Sequence, residues 1–133
     1  MPLYISDIAG GDDIGYAAEA VAIETAQTFE PVNALRPVRL VGSQVGICHA
    51  NDFSELQQFI GVARQAGSTG GEIESVTWGE HEDGSWSWTP GETIFVDDAG
   101  NLSHTPGAHI LVVGKAWTPT KIFIAPETPI YVS

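Results

Sequence analysis

The sequence predicts an all-β fold: a small antiparallel β-barrel or sandwich with an extended N-terminal arm and at most one short helix. Three observations predict it. Short apolar runs rich in β-branched and aromatic residues recur from residue 36 onwards. Turn-forming clusters separate these runs roughly every 8–15 residues, the rhythm of short antiparallel strands and not of βαβ units. Fifteen glycines and eight prolines among 133 residues supply the turns, too dispersed for a low-complexity chain. The length fits one domain.

Residues 1–35 read as the N-terminal arm and residues 36–133 as the barrel or sandwich domain. The arm holds six acids (Asp7, Asp12, Asp13, Glu19, Glu24, Glu30) and no base. Gly10-Gly11-Asp12-Asp13 reads as a turn or joint. The stretch Ala17 to Ala26 admits helical turns by propensity, but also an extended reading that leads into a first strand. Pro37 to Val41 alternates, Gly42-Ser43 turns, and Gln44 to Cys48 returns. A short helix fits Asp52 to Gln58, where Asn51 or Asp52 can cap and Glu55 lies near N3. Phe59-Ile60-Gly61-Val62-Ala63 is a compact strand. Residues 66–71 form a loop before the strand Glu72 to Val76. Ile94 to Val96, His109 to Trp117 and Lys121 to Ala125 complete the set.

An internal echo links two of these runs. Phe59 to Ala63 and Val112 to Ala116 share the order apolar, apolar, Gly, any residue, Ala, each followed by a turn and a strand. A glycine in mid-strand marks a bulge or a close approach of backbone. Matched glycines at Gly61 and Gly114 therefore predict two related β-units around one core.

Charge narrows the partners. Seventeen acidic residues against five basic ones give −12 at pH 7. Phosphate backbones are bound by clustered Lys and Arg, so neither nucleic acid nor an anionic membrane is an expected partner. No apolar run approaches the ~20 residues of a membrane-spanning helix. The single cysteine, Cys48, excludes an intramolecular disulfide and sits in an apolar run, as a small buried side chain would.

No residue is singled out as catalytic, and no cofactor or metal is expected. His49 with Asp52, and Glu80-His81-Glu82-Asp83, lack metal-ligand spacing; the second reads as a solvated hairpin tip. Asp97-Asp98-Ala99-Gly100-Asn101 lacks the distal glutamate of a calcium loop and reads as a β-turn with glycine in the left-handed region. There is no G-x-S-x-G elbow. The aromatic signal is Trp78 with Trp86-Ser87-Trp88. In a strand Trp86 and Trp88 face one side, so the three tryptophans are candidates for core, a subunit interface or a glycan platform.

Gly84-Ser-Trp-Ser-Trp-Thr-Pro-Gly91, Ile94-Phe-Val96, Asp98-Ala-Gly-Asn-Leu-Ser103, Thr105-Pro106, Val113-Gly-Lys-Ala116 and Pro126-Glu-Thr-Pro-Ile130 follow an order seen in small phage structural proteins. Phe59 to Ala63 and its following strand resemble capsid cement (head decoration) proteins, and the similarity covers about residues 36–132. Related β-modules occur in tail-fibre and baseplate proteins. With no catalytic motif among the residues no enzyme is expected, and the resemblance implies a virion protein, assembled in the host cytoplasm. It also implies a homotrimer bound to the major capsid protein or, alternatively, to tail or baseplate proteins.

Overall fold

A computed structural model describes residues 21–133 of the chain. The joint at residues 10–13 and the first part of the arm lie outside the described residues. Nine strands and one helix follow in order: β1 (Ala22–Thr28), β2 (Pro37–Val41), β3 (Gln44–Ile47), α1 (Phe53–Gln57), β4 (Phe59–Ala63), β5 (Glu72–Glu82), β6 (Thr93–Val96), β7 (Leu102–Ser103), β8 (Val112–Thr118) and β9 (Lys121–Ile124). The strands run β1-β3-β2-β4-β5-β9-β8-β6-β7, and β1 also pairs with β5. That extra pairing closes β1 to β5 into a five-stranded barrel, with the remaining strands as an extension. The all-β expectation, with one short helix, describes this architecture.

The echo read at Gly61 and Gly114 has a structural counterpart. Val38 pairs with Gly61 but Arg39 with Phe59, so Ile60 bulges out of β4. Ile94 pairs with Gly114 but Phe95 with Val112, so Val113 bulges out of β8 in the same place. The flanking hydrogen bonds match as well. The Ala63 N–H donates to Arg36 O at 2.9 Å, and Ala116 to Glu92 O at 3.0 Å. On the other side Leu40 donates to Gln58 O at 2.9 Å, and Val96 to Leu111 O at 3.4 Å. The two four-stranded units, β3-β2-β4-β5 and β7-β6-β8-β9, meet where β5 and β9 run antiparallel.

The units differ in closure. Residues 22–28, which the sequence pattern assigns to the arm, form β1, so with the buried Val32 the barrel starts before the expected boundary at residue 36. Strand β1 lies parallel to β3 and antiparallel to β5, so it seals the first unit. Among the described residues no strand seals the second, which remains an open sheet. Two cores result. The barrel encloses Val32, Val38, Val45, Ala63 and Ile73. Between barrel and second sheet lie Cys48, Leu56, Val62 and Val76 on one side and Ile94, Val113, Ile122 and Ile124 on the other, together with Ala50, Val96, Leu111 and Ala116. Each fully buried side chain of this size contributes about 1.5–3 kcal/mol.

Strand β5 serves both cores. Val76 is buried in the second core, yet so is His81, five residues on, which strict alternation forbids. A register shift between Val76 and Trp78, and Gly79 at φ +103°, reset the alternation. Trp78 is thereby left facing solvent, while His81 pairs with the buried Ile122.

The helix is capped by Asp52, whose carboxylate accepts the Ser54 N–H at 3.0 Å. Glu55 serves the neighbouring loop: one carboxylate oxygen takes the His49 N–H at 2.9 Å and lies 2.8 Å from His49 Nδ1. Arg39 Nε lies 3.5 Å from the same oxygen.

Candidate functional site

The open sheet has one face on the core and one in solvent. On β9 Ile122 and Ile124 point inward, so Lys121 and Phe123 point outward. On β6 Thr93 and Phe95 are the outward pair. On β8 Val113 and Ala116 are buried while Lys115 and Trp117 are exposed. The outward side chains form a row of three rings across β8, β9 and β5. Trp117 stacks on Phe123 with centroids 5.3 Å apart and planes at 16°. Trp78 meets the other side of the row edge-on to Phe123, at 5.4 Å and 84°. Trp117 is 50% and Trp78 47% exposed, so both indoles offer surface to water. Beside the row runs a shallow groove of about 460 Å³, lined by Phe95, Val112, Lys115, Trp117, Phe123 and Glu127 among others.

Both lysines of the chain lie on this face. Lys121 Nζ is 3.7 Å from Glu80 Oε1. Lys115 makes no ion pair among the described residues. The arginines are engaged elsewhere: Arg36 donates to the carbonyls of Gly100 and Ala99, Arg39 reaches Glu55 and Gln58, and Arg64 pairs with Glu74 at 3.1 Å.

Of the three tryptophans singled out in the sequence, Trp78 is on this face and Trp86 and Trp88 are not. The latter two lie in an irregular segment between β5 and β6, not in a strand, so the same-side argument does not apply there. Both are half-buried against the second core, with centroids 5.8 Å apart and planes at 54°. His81 packs edge-on to Trp86 at 5.2 Å, and His104 edge-on to Trp88 at 5.0 Å. His104 fastens the segment: its Nδ1 lies 2.9 Å from Thr93 O, and its Nε2 accepts the Thr89 N–H at 3.0 Å. That pattern needs a neutral ring protonated on Nδ1. His81 Nε2 and Trp88 Nε1 are buried without a protein partner. Burial holds the His81 pKa below its ordinary value, which keeps this ring neutral too.

The remaining polar clusters have structural partners. Glu80 to Glu82 form the end of β5 and not the solvated hairpin tip expected from Gly84, because β9 pairs with them and buries His81. Asp97 Oδ1 accepts from the N–H groups of Ala99 and Asn101 at 3.0 and 2.8 Å, around Gly100 at φ +79°. Among the described residues no group of three or more His, Cys, Asp or Glu side chains is placed to hold a metal ion. Cys48 is fully buried; desolvation, with the Glu55 charge beside it, pushes its thiol pKa up to about 12. Among the described residues no helix is long and apolar enough to cross a membrane.

The residues that sequence reasoning missed on the outer face are Trp117, Phe123 and Phe95. A signal existed: Trp117 lies two residues from Lys115 and Phe123 two from Lys121, so strand alternation puts each aromatic on the face of a lysine. A scan against protein-family models finds no match, and a search of curated proteins finds no significant relative.

Proposed function

We propose that this chain is a phage virion structural protein, a head decoration (cement) protein that binds the capsid exterior as a homotrimer. The observation that carries the reading is a stiff, doubly cored β-module with apolar side chains exposed on several different elements. Ile23, Leu40 and Val41 are exposed on the barrel, and Ile130, Tyr131 and Val132 at the C-terminal end. A module that joins its own copies and a shell needs more than one such surface, whereas scattered single apolar residues need no explanation. The C-terminal group is held in place. Ile110 and Ile130 exchange backbone hydrogen bonds at 3.0 and 2.8 Å, and Tyr131 stacks on His109 at 4.8 Å. The resemblance of residues 36–132 to cement proteins supports the same reading.

The test is addition of the purified chain to heads of the phage that carries the gene, assembled without it. Saturable binding that raises the temperature of capsid disruption is the expected result. Heads that neither bind the chain nor gain stability would sink the reading. The outward aromatic row favours a second reading, a tail-fibre or baseplate module; immunogold label confined to tails would select it.

A further inference from the structure

We propose that the outer face of the second sheet is a carbohydrate site that holds a neutral pyranose chain on the row Trp117, Phe123 and Trp78. The inference does not depend on where in a virion the chain sits. Trp86 and Trp88 are turned onto the core and take no part.

Ring placement is the first argument. A pyranose has a patch of C–H groups on one side and hydroxyls around its edge. The C–H patch is bound by an aromatic face in water because both surfaces are apolar, while the hydroxyls require donors and acceptors at the rim. Trp117 is braced by its stack on Phe123, and Trp78 by its edge contact with the same ring. The platform is therefore ordered before a ligand arrives, and binding does not have to freeze its rotamers. The groove beside it brings the rim: Lys115 offers donors, Glu127 acceptors and Thr93 both. Its volume of about 460 Å³ lies within the range of small-molecule clefts, but it is shallow, which suits a chain lying across it.

Charge selects the class of ligand. The chain carries −12 overall, and on this face the lysines 115 and 121 offset two of the three glutamates 80, 82 and 127. An aromatic patch with a small excess of carboxylates, on an acidic protein, is poorly matched to an anionic sugar, which the field repels. A neutral polyhydroxylated ligand incurs no such repulsion and uses both kinds of charged group as hydrogen-bond partners.

The experiment titrates the full chain with neutral tetrasaccharides of glucose, mannose, galactose and N-acetylglucosamine, and with tetragalacturonate as the anionic comparison. Tryptophan fluorescence and saturation-transfer NMR are the readouts. The expected result is saturable binding of at least one neutral tetrasaccharide, weakened about tenfold by Trp117→Ala and by Trp78→Ala. Lys115→Ala with Glu127→Ala, which removes no ring, is the second variant and should weaken binding while the far-UV CD spectrum stays native. Absence of saturable binding to every neutral probe, preference for tetragalacturonate, or full affinity in a folded Trp78→Ala/Trp117→Ala protein would each overturn the proposal.

Discussion

Gly61 and Gly114 give the two-unit architecture a quantitative test. An alanine Cβ at position 114 would fall inside the contact radius of the Phe123 carbonyl oxygen, with the carbonyl carbon at 2.9 Å and Ile124 Cα at 3.2 Å. At position 61 the clash is with the Val76 carbonyl oxygen, its carbon at 2.9 Å and Thr77 Cα at 3.2 Å. Every obstructing atom is backbone, so no rotamer change relieves it and the neighbouring strand must move away. Forcing in the methyl group costs about 1–3 kcal/mol. Loosening the adjacent ladder hydrogen bonds adds about 1 kcal/mol each. Gly114→Ala and Gly61→Ala are therefore each expected to lower stability by about 2–4 kcal/mol. Gly84 has open space and no positive φ, so Gly84→Ala should stay within about 0.5 kcal/mol of the parent. Gly42 also has open space but sits at φ +64°, so Gly42→Ala should lose only the conformational cost, about 1 kcal/mol. Guanidinium denaturation followed by tryptophan fluorescence reads all four variants. Destabilisation at one strand glycine but not the other, or at neither, would refute the equivalence of the units.

The tryptophans should divide by stability. Trp86→Ala and Trp88→Ala are expected to cost about 2–4 kcal/mol through lost core packing, whereas Trp78→Ala and Trp117→Ala should each cost about 1 kcal/mol or less. The same denaturation series checks this order. His81 gives a pH signature. Its folded pKa is depressed below the ordinary 6.5, so the unfolded chain takes up a proton that the native one refuses. Its contribution is intact above about pH 6.5 and is lost as pH falls below it, with a slope of at most about 1.4 kcal/mol per pH unit. His81→Phe should flatten that part of a stability-versus-pH curve measured by urea denaturation; an unchanged slope would contradict the neutral buried ring. Asp52 and Asp83, whose pKa values are lowered by hydrogen bonds from Ser54 and Ser85, act only in the more acid range below their ordinary 3.8. Cys48, buried with a thiol pKa of about 12, should resist Ellman's reagent in the native protein and react at once in guanidinium. Rapid native labelling would show that the second core opens.

Strand positions were legible where local pattern determines them. Pro37–Val41 and Phe59–Ala63 are strands with the expected bounds, and the expected helix over Asp52 to Gln58 is Phe53–Gln57 with Asp52 as its cap. The glycine echo was legible because a mid-strand glycine has few explanations. Long-range pairing was not. Glu72 to Val76 extends to Glu82 because β9 supplies a partner for an acidic stretch that alone looks solvated. The expected strand from His109 starts at Val112, since His109 N–H goes to Ala50 and Ile110 bridges to Ile130. The placement of Trp86 and Trp88 depends on His104, fifteen or more residues downstream in sequence, which no local periodicity reveals. The outer face was half legible: alternation marks Trp117 and Phe123 as outward, but only the β8-β9-β5 pairing puts them beside Trp78.

The proposed virion role meets its most direct test in a cryo-EM map of particles purified from a phage whose genome encodes this chain. The account predicts density for the two-unit β-module on the head exterior, in groups of three copies, at regular positions between capsomers. Particles whose heads lack that density, with the chain found only on the tail or missing from the particle, would contradict it.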